Sequence, residues 1–236
     1  MTNYYKIADL VVAMDSFGRT VQQAEPYLIE ADDGITPDIE IKSSYESLKK
    51  TAPHLSDEDC EYLTSGGSFY RQLVRHGGML IHSSAVLMDG RAYLFTAPCG
   101  TGKSTHTKLW LKAFSDRARI LNDDKPAIRL VDGKWYAYGT PWSGKYDINI
   151  NTRAELAGIC VLGRGEVNKI ERFTGAKAVH ALLEQTARVN NPEFMGNMLT
   201  LLDKLFASVP VWKMECNMDV SAAIMSHAAM SGEIGE

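Results

Sequence analysis

The chain of 236 residues is 45% hydrophobic and 23% charged, the composition of a globular protein with enough length for a full core. A formal net charge of -4, with no dense Lys/Arg run, argues against a nucleic-acid partner, and no stretch approaches the roughly 18 apolar residues of a membrane span. The N-terminus lacks the basic-then-apolar pattern of a secretory signal, and Cys60, Cys99, Cys160 and Cys216 show no Cys-x-x-Cys spacing, so a reduced, cytoplasmic protein is expected.

In chain order, the apolar run Tyr5 to Val12 and the short runs 26–29 and 38–41 read as strands. Asp32-Asp33-Gly34 reads as a solvated turn rather than a metal site. Ser56, followed by Asp57, Glu58 and Asp59, marks a helix start. Gly66-Gly67 is expected to break the chain before a helix over 69–74, and residues 1–75 are read as a small, mostly β N-terminal lobe with residues 76–236 as the main domain.

Residues 78–88 read as one strand carrying His82, with Asp89-Gly90 as a hairpin turn into a buried strand, Arg91 to Phe95. A glycine-rich turn follows, and Lys103 to Phe114 carries a helical pattern. Arg119-Ile120-Leu121 is a short strand ending in Asn122-Asp123-Asp124, and a second hairpin joins 127–131 to 134–138. It leads to the loop Gly139-Thr140-Pro141-Trp142-Ser143-Gly144-Lys145, whose Trp142 looks exposed. Two readings of this loop stay open: Trp142 and Lys145 touch phosphate, base or substrate, or the loop is a surface turn with a structural Trp. Strands over 156–162, 169–173 and 209–214 and helices over 176–185, 195–206 and 221–230 complete an α/β chain.

The chemistry concentrates at Ala97-Pro98-Cys99-Gly100-Thr101-Gly102-Lys103-Ser104-Thr105. Strand, glycine-rich loop, Lys-Ser and helix form the arrangement that cradles a polyphosphate. Gly100 and Gly102 let successive backbone N–H groups turn toward one anion. Lys103 would reach the β- and γ-phosphates of ATP, and the Ser104 hydroxyl would sit on Mg²⁺. Ala97 stands where the motif G-x-x-x-x-G-K-[ST] has glycine; preceding Pro98, it is held extended, which suits the end of a strand. The adjacent acids Asp123 and Asp124, about 20 residues beyond the loop, have the placing expected of metal and base carboxylates.

His82-Ser83-Ser84-Ala85-Val86, the Cys99–Thr107 loop and Asn122-Asp123-Asp124 together resemble the catalytic domain of HPr kinase/phosphorylase and, more distantly, ATP-dependent phosphoenolpyruvate carboxykinase. The likeness is greatest to the stand-alone HPr-kinase-related proteins. It implies a mixed sheet flanked by helices around a P-loop, with the N-terminal lobe beside it. It also implies that residues 98–105 bind ATP and that Ser104, Asp123 and Asp124 serve the metal. Asp123 would be the base toward a serine-type hydroxyl, and His82 would lie near the γ-phosphate unless it is a structural imidazole. The carboxykinase's arginine set and the HPr-kinase signature are absent, so the acceptor is left as a hydroxyl-bearing small molecule or peptide. A nucleotide-binding switch without transfer and a carboxykinase-like activity remain as alternatives, and homo-oligomerisation stays open.

Overall fold

The computed structural model describes residues 2–30, 34–187 and 191–232; Asp32 and Asp33 of the expected turn lie outside them. The N-terminal apolar run is two strands, β1 (Asn3–Ile7) and β2 (Leu10–Asp15), because Ala8 and Asp9 both take positive φ and reverse the chain. After α1 (Arg19–Ala24) come β3 (Leu28–Ile29) and β4 (Ile39–Lys42), giving a four-stranded sheet in the order β3-β1-β2-β4. Ile39 and Ile41 are buried and Glu40 is exposed, the alternation of a one-sided sheet.

Following α2 (Glu46–Thr51), α3 (Asp57–Leu73) starts where Ser56 accepts a hydrogen bond from the Asp59 N–H at 3.0 Å, with three acids in its first turn to complement the helix dipole. The expected break at Gly66-Gly67 does not occur. The helix runs through both glycines, and a Cβ on Gly66 would lie 2.8 Å from Cδ1 of Trp142. The absent side chain makes room for an indole. Tertiary packing overrides the weak helix propensity of glycine here.

The main sheet is built from β5 (Gly78–Leu80), β6 (Ser83–Met88), β7 (Arg91–Thr96), β8 (Ala118–Asp124), β9 (Ala127–Val131), β10 (Lys134–Tyr138), β11 (Arg153–Arg164), β12 (Lys169–Arg172) and β13 (Val211–Cys216). Its helices are α4 (Lys103–Phe114), α5 (Gly175–Leu183), α6 (Pro192–Ser208) and α7 (Ser221–Ser231). The strand path is β5-β9-β10-β11-β7-β6-β8, with β13 beside β11 and β12 beside β13. β11 is parallel to both β7 and β13, while the other pairings in this sheet are antiparallel.

The single strand expected over 78–88 is two. β5 pairs with β9, while β6 lies between β7 and β8 at the other end of the path. Only Ile81 and His82 separate them, so chain reach brings the ends of the path together and the sheet curls. Along β7, Ala92 and Leu94 join one core with Leu201, Leu202 and Leu205 of α6, while Tyr93 and Phe95 join another with Trp110 of α4 and Ala222 and Ala223 of α7. Both faces of β7 are thus buried, which fixes the strand that delivers the glycine loop.

A third core joins the small sheet to the main one. Tyr5, Ile7, Val12, Ile39 and Ile41 pack with Tyr62, Phe69, Tyr70 and Leu73 of α3 and with Ala127, Tyr138 and Trp142. Among the described residues, no helix is long and apolar enough to cross a membrane.

Candidate functional site

The site starts at the carboxyl end of β7. Ala97 is buried, Pro98, Cys99 and Gly100 are exposed, and α4 begins at Lys103. Gly100 and Gly102 have φ of 77° and 123°. A Cβ at Gly100 would meet nothing within 4 Å, so conformation rather than crowding calls for glycine and the space before the loop is open. No side chain caps α4 and no acid occupies its first turn. The positive end of this 12-residue helix is not neutralised by an acid of its own first turn, a polarity that suits a phosphate group. Ser104 and Thr105 follow Lys103 in that first turn, and the Thr101 N–H donates to the Pro98 carbonyl at 3.2 Å.

Lys103 donates from Nζ to the Ala97 carbonyl at 3.0 Å, folding back over the loop. Burial depresses its pKa, while the charges of Asp124, Cys99 and Asp123 act in the opposite direction. The ammonium thus feels both acids. Arg164, at the end of β11, donates from Nη2 to the Gly100 carbonyl at 2.7 Å and pins the loop from the other side. Nothing in the sequence around Arg164 signals a role; only the parallel pairing of β11 with β7 brings it here.

The acids arrive through β8. Its antiparallel register with β6 sets Ser84 opposite Asp123 and Ser83 opposite Asp124. Ser84 Oγ donates to Asp123 Oδ1 at 2.7 Å and lies 3.0 Å from Thr107 Oγ1, one turn into α4. This chain fixes Asp123 relative to the helix that follows the loop. Ser84 and Thr107 both stood inside the quoted motifs, but nothing in the sequence said that they meet. Asp123 is 8% exposed, and its Oδ2 has no hydrogen-bond partner among the described residues.

Asp124 is fully engaged. His82 Nε2 lies 2.7 Å from its Oδ1, and Lys125 Nζ lies 2.6 Å from its Oδ2. Burial pushes this carboxyl up, but the His82 bond and the Lys125 charge overturn that and hold it down at about 2. His82 is therefore half-exposed and oriented by a carboxylate, while its backbone N–H is tied to the Gln185 carbonyl at 2.8 Å. Behind the pair, Asn122 Oδ1 accepts from the N–H groups of Asp124 and Lys125 at 3.2 and 2.8 Å, and its amide donates to the Thr140 carbonyl at 3.0 Å.

The loop after β10 divides the two residues singled out in it. Trp142, expected at the surface, is fully buried. Its ring stacks on Phe69 with centroids 4.9 Å apart, and its Nε1 donates to Ser65 at 3.2 Å. An indole of that size gains more by burial against α3 than by waiting for a ligand. Lys145 is exposed, with its ammonium 4.7 Å from the Tyr146 ring, and makes no hydrogen bond to the acids. Gly144 is the residue that reaches them: a Cβ there would lie 2.8 Å from Asp124 Cβ.

Among the described residues, no group of three or more His, Cys, Asp or Glu side chains is arranged to hold a metal. Mg²⁺ does not require one, since it keeps water and phosphate ligands and takes one or two carboxylates from protein. The hydroxyl of Ser104 fits such a share, the oxygens of Asp124 already accept from His82 and Lys125, and Oδ2 of Asp123 is open to an ion or to a proton.

No family model and no curated protein matches the chain. Among solved structures it is similar to the Hpr(Ser) kinase/phosphatase from Coxiella burnetii, at 10% identity and a TM-score of 0.36, over 66% of this chain and 96% of that one. Likeness at that level assigns neither family nor activity. The residues of the site carry the functional reading.

Proposed function

We propose that the protein is an ATP-dependent phosphotransferase that moves the γ-phosphate to a serine-type hydroxyl of a small molecule or peptide. One observation supports this above others. An uncapped helix N-terminus with two glycines before it is joined, through Thr107 and Ser84, to a carboxylate with one oxygen free.

In this reading the N–H groups at the start of α4 and Lys103 bind the phosphates, with Lys103 leaving the Ala97 carbonyl to do so. Asp123 accepts the proton of the attacking hydroxyl at Oδ2, held in orientation by Ser84 at Oδ1. Asp124 holds His82 and Lys125, which would add positive charge beside the γ-phosphate. Ser104 would hold Mg²⁺ together with water and phosphate oxygens, leaving Asp123 Oδ2 to take the proton, and the ion would supply charge neutralisation at the phosphate oxygens.

Titration calorimetry with Mg-ATP and Mg-ADP tests the first half, with Lys103→Ala as control. Binding that vanishes in the variant supports the loop assignment, and absence of binding to the wild type overturns it. Phosphate transfer to a panel of serine-type acceptors tests the second half. An Asp123→Asn variant that binds nucleotide but no longer transfers supports the role of base.

A further inference from the structure

A groove of about 520 Å³ opens beside Gly100, Thr101 and Gly102, on the side of the loop away from the acids. Its floor is one face of α4, Thr105 and Leu109 at i and i+4, and its far wall is formed by Gly165 and by Asn217 and Met218 after β13. β7, β11 and β13 are parallel, so the groove lies at their carboxyl ends, where open α/β sheets take their ligands. Its volume is that of a small-molecule site. β6 and β8, with His82, Ser84, Asp123 and Asp124, flank β7 on its other side.

The geometry points to this groove as the nucleoside site, and hence to the direction in which a nucleotide lies across the loop. The inference rests on the phosphate-loop reading. The base and ribose occupy the Leu109–Met218 groove, the phosphates cross Gly100–Lys103, and the terminal phosphate reaches the Asp123 side. The apolar content of the groove explains Met218, a long apolar side chain left 80% exposed at its rim. A flexible thioether is well suited to cover a flat aromatic ring.

The larger polar side chains at the groove, Asn217, Arg164 and His106, are already engaged within the chain, so it offers few groups that tell one base from another. Asn217 Nδ2 donates to the Glu166 carbonyl at 2.9 Å, and its Oδ1 accepts from the Asp219 N–H at 3.0 Å. Arg164 is held by the Gly100 carbonyl, and His106 Nε2 lies 3.0 Å from Ser226 Oγ. ATP and GTP therefore bind alike.

Calorimetry with Mg²⁺ and either inorganic tripolyphosphate, ATP or GTP separates loop from groove. Tripolyphosphate probes the loop alone, and the advantage of ATP over it probes the groove. ATP should bind at least about tenfold more tightly than tripolyphosphate, the return on burying a modest apolar area, with GTP within about threefold of ATP. Met218→Ser, neutral and at an exposed site, should cut that advantage to about threefold or less and leave tripolyphosphate unchanged, while Met218→Leu restores it. If tripolyphosphate binds but ATP gains nothing over it, or if Met218→Ser has no effect, the groove assignment fails while the loop reading stands. If neither ligand binds, both fail. Photolabelling with 8-azido-ATP gives an independent readout: label on 216–218 or on 109 supports the site, and label on the β6–β8 side overturns it.

Discussion

The guanidinium of Arg19 lies 2.6 Å from a carboxylate oxygen of Asp147, a contact between residues 128 apart in sequence. The same Nη2 donates to the Gly144 carbonyl, and the guanidinium sits 4.1 Å from the centroid of the Tyr62 ring. Tyr62 in turn accepts from the Ser143 N–H at 2.7 Å. Through these bonds the N-terminal residues hold Gly144 against Asp124.

On the proposed mechanism, Arg19→Ala is therefore expected to lower kcat for phosphate transfer by about 10- to 100-fold, the cost of a small misplacement near reacting groups. The KM for nucleotide should stay within about twofold, because Arg19 touches neither the loop nor the groove. Steady-state kinetics with both substrates varied would check the split. An equal loss in nucleotide affinity would mean that Arg19 acts through general stability instead.

Asp123 offers a sharper kinetic test. Asp123→Asn should reduce kcat by about 10²- to 10⁴-fold, the usual worth of a positioned general base. Ser84→Ala, which removes the donor to Oδ1 and the link to Thr107 but leaves the carboxylate, should cost less. Single-turnover transfer assays on the two variants would show whether this ranking holds; the opposite order would remove Asp123 from the role of base.

Gly66→Ala is expected to destabilise the fold by about 1–3 kcal/mol, since its Cβ would overlap the Trp142 indole in a packed core. The neighbouring Gly67→Ala meets only the end of the Arg71 side chain, at 3.2 Å, and should be close to neutral or slightly stabilising through helix propensity. Urea unfolding of the pair would distinguish a glycine kept for packing from one that is not.

Acid sensitivity should arise first at His106. It is buried against Phe95, and burial pushes its pKa down to about 4. Above pH 6.5 the ring is neutral in both folded and unfolded chains and exerts no effect on stability. As pH falls from 6.5 toward 4, the unfolded chain takes up the proton and the folded one does not, so stability is lost, by about 3 kcal/mol at pH 4. A His106→Gln variant should lack that slope in denaturant titrations across this window. Asp124 acts lower down: its depressed pKa gives stability that is present above about pH 4 and lost toward pH 2.

Much of the architecture is local and was legible in the sequence. The hairpin turns at Asp89-Gly90 and Asp132-Gly133, the Ser56 cap and the extent of α4 follow from turn chemistry, capping and periodicity, which act within a few residues. The glycines at 100 and 102 and the adjacent acids at 123 and 124 are local features of the same kind. Tertiary structure decided what lies between them. Gly66 looks like a helix breaker until Trp142, 76 positions away, fills the space its side chain would take. A strand over 78–88 looks continuous until the curl of the sheet sends its halves to different partners. Arg164 and Arg19 carry no local signal, because their partners, the Gly100 carbonyl for Arg164 and Asp147, Tyr62 and the Gly144 carbonyl for Arg19, lie far away in sequence and are brought in by tertiary structure. A sequence shows which groups can hydrogen-bond; burial and topology choose the partners.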